Sequence, residues 1–278
     1  MNPTPQALFL SAPAGTSGQR FALFHPAASG VDKRGAVLYI HPFAEEMNKS
    51  RRMAALQARA LAQAGFDVLQ IDLLGCGDSS GDFGDATWAA WVADVVLGAQ
   101  WLRQRSNAPL WLWGLRAGCL LAVDAAPHIT EPCNFIFWQP TSAGKLTLQQ
   151  FMRLKAAGEL MGGQAKVIMQ GLRDQLARGE PVEIAGYMVS PGLASGLEQT
   201  TLSPPVTKDA AQRVDWFEIS AREDATLSPV ASQTIAQWQQ AGYSVTTHLV
   251  NGPAFWQTTE IEDAPALIHA TTAAVIIA

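Results

Sequence analysis

Six residues, Trp113-Gly114-Leu115-Arg116-Ala117-Gly118, carry the most chemical information in this chain. They stand between an apolar run, Leu110-Trp111-Leu112-Trp113, and a segment with helical apolar spacing from Arg116 to Ala126. Glycines at the first and fifth positions of the turn let strand and helix pass close together. That is the spacing of G-x-S-x-G, a nucleophile elbow that lifts its central side chain above a sheet. A serine there would attack an acyl carbon once a base had taken its proton. The central residue here is Arg116, whose guanidinium stays protonated at any working pH and offers no lone pair. What remains is a helix N-terminus with free N–H groups and partial positive charge. With Arg116 added, a carboxylate or phosphate can be held by a guanidinium fork and backbone amides.

The elements that must position this turn alternate along the chain. Phe9-Leu10 and Arg20–Phe24 flank a Gly/Ser turn and read as a hairpin. Strands are predicted at Ala36–Ile40, Asp67–Ile71, Leu110–Trp113 and Asn134–Trp138. Helices are predicted at Lys49–Gln63, with Asn48 or Ser50 as cap, at Trp88–Arg105 and at Arg116–Ala126. Near-continuous apolar strands separated by helices indicate an α/β fold, with a mostly parallel, doubly wound sheet covered on both faces. The alternation stops from Thr141 to Thr207, where helices are expected at Leu148–Leu160 and Ala165–Arg178, followed by Gly/Pro/Ser-rich loops. It resumes with a strand at Trp216–Ile219, a helix at Pro229–Ala241, a strand at Ser244–Val250 and a helix from Asp263. The expected division is a core of 1–140 and 208–278 with a helical cap insertion at 141–207.

Two further segments sit at strand ends. Asp72-Leu73-Leu74-Gly75-Cys76-Gly77-Asp78-Ser79-Ser80-Gly81 reads D-x-x-G-x-G-x-S-x-G, and His41-Pro42-Phe43 closes the preceding strand. With the elbow spacing, they make the chain resemble an α/β-hydrolase over nearly its whole length. The run from His41 to Arg52, with Gly114-Leu115-Arg116, is similar to the exosortase A system-associated hydrolases of the second type. That resemblance implies an ester-bond hydrolase and a place beside PEP-CTERM protein sorting and exopolysaccharide export, with a protein partner there. It also implies a nucleophile, an acid and a histidine in chain order. The acid slot offers Glu223 or Asp224. The histidine slot reads Asn251-Gly252-Pro253-Ala254-Phe255-Trp256-Gln257, without a histidine; His248 lies inside a strand and His269 on the last helix. By family geometry the oxyanion donors are the N–H groups of Ala117 and Phe43, since Pro42 has none.

Two roles for Arg116 follow: an anchor for an acidic small molecule, or an ion pair with Asp224 or Glu223 that plugs the site. Glu45, Glu46, His41 and Trp256 are expected to line the same pocket. His41 is expected to brace the oxyanion loop rather than act as a base, and Asp72 and Ser79 to brace their own loop. Trp256 either fills the vacant histidine space or stacks on a ligand. Lys49, Arg51 and Arg52 read as a solvated helix start or a contact for an acidic partner. Cys119 is expected to pack inertly on the sheet, and Cys76 to lie more exposed in its loop. Met152, Met161, Met169 and Met188 read as cap packing or as the roof of an apolar pocket.

Composition narrows the rest. In 278 residues, 48% are hydrophobic and 15% charged, which excludes intrinsic disorder. Nineteen basic against 24 acidic residues give a net charge of −5, with no basic stripe for nucleic acid. No apolar run approaches the roughly 18 residues of a membrane span, and the first residues do not read as a signal peptide. Cys76, Cys119 and Cys133 lack metal-ligand spacing and read as reduced thiols of a cytoplasmic protein. No cofactor or metal is expected.

Overall fold

The computed structural model describes residues 4–158, 165–206, 212–222 and 224–276. An antiparallel hairpin, β1 (Gln6–Ser11) and β2 (Gln19–His25), opens the chain. The strands β3 (Gly35–Ile40), β4 (Phe66–Ile71), β5 (Leu110–Leu115), β6 (Cys133–Trp138), β9 (Arg213–Ser220) and β10 (Ser244–Asn251) then run parallel to one another. The eight-stranded sheet has the order β1-β2-β4-β3-β5-β6-β9-β10. Every residue of β3 and β5 is buried, as expected for central strands covered on both faces.

Period-two alternation distributes their side chains. Val37, Tyr39, Trp111 and Trp113 join one core with α1 (Glu45–Gln63) and α8 (Pro265–Ile276). Leu38, Ile40, Leu110 and Leu112 join the other, with α2 (Trp88–Arg103), α3 (Ala117–Ala125) and α7 (Pro229–Gln240). Register brings the functional turns together: Ile40 pairs with Gly114, Leu115 with Trp138 and Trp138 with Phe217. The segments after β3, β5, β6 and β9 therefore leave the sheet at its carboxyl edge, where ligands bind in open α/β sheets.

Two expectations change here. The first helix starts at Glu45, four residues before Lys49, and neither Asn48 nor Ser50 caps it. Ser50 lies inside the helix, its hydroxyl donating to the carbonyls of Glu46 and Met47. Glu45 and Glu46 occupy the first turn, where negative charge suits the helix dipole. Between β6 and β9, α4 (Gly144–Gly158) and α5 (Ala165–Ala177) are present, with residues 159–164 outside the described residues. The segment read as loop holds a small hairpin, β7 (Val182–Ile184) and β8 (Tyr187–Val189), and a helix, α6 (Pro191–Gln199). Ser190 caps α6 by accepting from the Leu193 N–H, with Pro191 in its first turn.

Candidate functional site

Arg116 stands alone between β5 and α3, with φ 54° and ψ −118°. Positive φ is unfavourable for a residue with a Cβ and persists only where its surroundings enforce it. They do so on both sides. The Arg116 N–H donates to Trp138 O at 3.0 Å, and Arg116 O accepts from the Cys119 N–H at 3.1 Å. A Cβ on Gly114 would sit 2.5 Å from Cys119 N, and one on Gly118 would collide with the carbonyls of Ile40 and His41. Both motif glycines are thus required by close approach of helix and strands.

The guanidinium is held loosely. Its Nε lies 3.4 Å from Glu46 Oε1, and Nη2 donates to Gln150 Oε1 at 3.1 Å. Cζ lies 5.7 Å from the ring centre of Trp256, within cation–π range. Nη1 has no partner among the described residues. Glu46 comes from the first turn of α1 and Gln150 from α4, so these two helices meet on this one side chain. Beside them is a cavity of about 340 Å³ whose walls include Phe43, Glu45, Glu46, Gln150, Phe151 and Trp256. The Phe43 and Phe151 rings meet edge-to-face at 5.2 Å. The N–H groups of Phe43 and Ala117 have no acceptor among the described residues, as expected for turn and first-helix amides.

Burial pushes the Glu46 carboxyl up to about 7, with Arg116 opposing the shift and Glu45 adding to it. Its Oε2 is buried without a partner, as is Oε2 of Glu45. The expected pairing of Arg116 with Asp224 does not occur. Asp224 is exposed and paired with Arg222 at 3.0 Å, whereas Glu46 is held beside the elbow by its helix. Glu223 lies outside the described residues.

His41 is buried and works between turns. The Leu73 N–H approaches Nε2 at 3.4 Å, so Nε2 accepts and Nδ1 donates to Pro42 O at 2.8 Å. Burial lowers its pKa, which keeps the ring neutral. The Ser79 hydroxyl donates to Asp72 O at 2.5 Å and accepts from the Phe21 N–H. Asp72 Oδ2 accepts from the Asp78 N–H and faces Arg51 at 3.2 Å. The basic run is not a free patch: Arg52 forms a two-pronged pair with Asp263, and Lys49 donates to Gln257 O.

Trp256 is buried, and its indole N–H has no partner among the described residues. His248 stacks on Phe217 at 4.3 Å and bonds Asp215 at 3.1 Å, while His269 is exposed on α8. Cys119 is fully buried, its thiol pushed up by burial and directed at Trp138 O. Cys76 is buried as well, against expectation, because its loop folds back on itself with Cys76 N bonded to Leu73 O. Gln150 was missed, since nothing in the spacing of α4 distinguishes it from other exposed polar residues. Among the described residues no cluster of three His, Cys, Asp or Glu could hold a metal ion, and no helix is long and apolar enough to cross a membrane.

The sheet order, the strained turn after β5 and the loops at the carboxyl edge define an α/β-hydrolase fold. Within that class, the chain belongs to the family described as serine aminopeptidase, S33, whose model matches residues 31–181. The fold is similar to a highly thermostable carboxyl esterase from Bacillus coagulans, with TM-score 0.65, 17% identity and 99% and 97% of the two chains covered. It is also similar to Est1E from Butyrivibrio proteoclasticus with bound ferulic acid, with TM-score 0.62, 15% identity and 98% and 97% covered. Human Protein ABHD12B is 32% identical over 101 residues, 36% of this chain. The match spans only 26% of that relative's length.

Proposed function

We propose that this chain is an altered member of its family in which the elbow binds an acidic small molecule, and that Arg116 is the anchor. The observation that carries this reading is the loose attachment of Arg116. A guanidinium as buried as this one, 12% exposed, normally demands a close charged partner. This one has a single long contact to a carboxylate that titrates near neutrality, and one unpartnered nitrogen. A carboxylate or phosphate entering from the cavity would complete the fork and reach the amides of Phe43 and Ala117. Residues 141–207 act as the cap over that cavity, and Trp256 fills the histidine slot. The run from His41 to Arg52 supports placing the protein among the exosortase-associated hydrolases, in the cytoplasm beside export machinery.

The test is a melting-temperature screen of small carboxylates and phosphates. A ligand at about 100 times its Kd should stabilise the parent by about 2.7 kcal/mol. Arg116→Ala should show no shift with the same compound. Equal shifts in both proteins would remove Arg116 from the site.

One observation favours a second reading, an ester hydrolase with a rearranged constellation. Glu46 titrates near neutrality beside the elbow, which suits a general base. Ester turnover by the parent that is lost in Glu46→Gln would select it.

A further inference from the structure

A concavity of about 1100 Å³ lies away from the elbow, along the outer face of α2. Helix α2, WAAWVADVVLGAQWLR, is apolar almost all round. Trp91, Val95, Ala99 and Leu102 face the core. On the flank beside them Val92, Ala93 and Val96 stay partly open and Ala89 is exposed, Val92 and Val96 keeping one edge against the core. Asp94 offers no charge to that side, because it is buried against Arg20 at 2.7 Å. Pro13 and Ala14 form one bank of the trough, and Gly192 and Gly196 of α6 form the other. A helix apolar on its outer side normally has something covering it.

The trough changes character at one end. A second cavity of about 440 Å³ shares Trp88, Asp124 and Gly196 with it and is lined by Gln199, Thr200, Thr201 and Ser203. The Thr201 and Ser203 hydroxyls lie 2.8 Å apart. The Trp88 indole and the Thr200 hydroxyl both donate to Asp124 Oδ2, at 2.7 and 2.9 Å. Asp124 Oδ1 has no partner among the described residues. No lysine or arginine lines either cavity. A ligand here meets an apolar channel followed by hydroxyls, an amide and one carboxylate. An anionic head would face the Asp124 carboxylate with no lysine or arginine to balance it, the exposed His128 imidazole being the one basic side chain among the lining residues.

We propose that this trough is a second binding site, for a single-chain amphiphile with an uncharged, hydroxylated head. The chain lies along Ala89, Val92, Ala93 and Val96, and the head donates to Asp124 and exchanges hydrogen bonds with the hydroxyls beyond it. None of these residues belongs to the elbow site.

The test is calorimetric titration with 1-monolauroylglycerol, below its critical aggregation concentration. Four proteins are compared: the parent, Ala93→Glu, Val96→Gln and Arg116→Ala. The expected result is one-site binding to the parent, unchanged in Arg116→Ala. Binding should be at least tenfold weaker in Ala93→Glu, and weaker in Val96→Gln. Laurate should bind the parent at least tenfold more weakly than the glycerol ester. Both α2 substitutions are at partly open positions, and melting curves check that the variants are folded. No binding to the parent overturns the proposal. So does a loss in Arg116→Ala that Ala93→Glu does not share, which moves the ligand to the elbow. Laurate binding as tightly as the ester overturns the uncharged head. A parent dimer in sedimentation that Ala93→Glu dissolves places a second copy on this face instead.

Discussion

Replacing Glu46 by glutamine should stabilise the protein, and only at the upper end of the pH range. The folded chain holds this carboxyl at about 7, against an ordinary value of 4.5, mainly because the group is buried. Its side chain is 14% exposed and one oxygen has no partner. A folded-state pKa above the unfolded one means the native protein binds the extra proton. The stability that this proton contributes is full below pH 4.5 and disappears as pH rises through about 7. At about 1.4 kcal/mol per pH unit, the interval amounts to about 3 kcal/mol. Glutamine mimics the protonated acid and has no such dependence. Urea unfolding of parent and Glu46→Gln should give similar free energies at pH 4.5. By pH 8 the variant should be ahead by about 3 kcal/mol. The site has a matching signature, since ionised Glu46 competes with any anion for Arg116: anion affinity should fall from pH 6 to pH 8 in the parent and stay flat in Glu46→Gln. A difference between the two proteins that does not change with pH would refute the reasoning, because Glu46 would then ionise as it does in water.

Three further outcomes follow from the packing. Gly118→Ala should lose about 3 kcal/mol in urea unfolding, because its Cβ would collide with the Ile40 and His41 carbonyls; helix propensity alone predicts a gain of up to about 1 kcal/mol, so a stabilised variant would disprove the close approach. Arg20→Met leaves Asp94 buried and unpaired, and should cost about 3–5 kcal/mol; Arg20→Met with Asp94→Leu should recover much of that loss. Native protein should resist iodoacetamide at Cys76, Cys119 and Cys133, with all three labelled in urea; rapid native labelling of Cys119, followed by mass spectrometry, would contradict its burial.

Much of the fold is readable wherever apolar runs are continuous. Ala36–Ile40 and Leu110–Trp113 announce buried parallel strands because nothing polar interrupts them, and their ends fall within two residues of the observed ones. The first turn of α1 is hard to read because Glu45, Glu46 and Asn48 are polar and Ala44 carries no capping side chain; its start is set by the tight turn after β3. Strands β7 and β8 are three residues each, too short for period-two patterning to register. Helix α6 did carry signals, Ser190 as cap, Pro191 in its first turn and Leu193, Ala194 and Leu197 on one face, which the neighbouring glycines obscured. At the site, the spacing of Gly114 and Gly118 located the turn, because backbone approach leaves a mark on sequence. The partner of Arg116 could not be read that way. Glu46 and Gln150 lie 70 and 34 residues away and reach it only through helix packing. Asp224, correctly placed in chain order, is exposed and paired with its neighbour Arg222.

The claim at the centre of this account is that Arg116 makes the elbow a place that holds an anion and does not turn over esters through an activated nucleophile. It is tested most directly with a p-nitrophenyl ester series, from acetyl to long acyl, on the parent, Arg116→Ala and Glu46→Gln. The account predicts no release of nitrophenolate above the buffer blank by any of the three. Turnover by the parent that disappears in either variant would contradict it and place hydrolytic chemistry at that side chain.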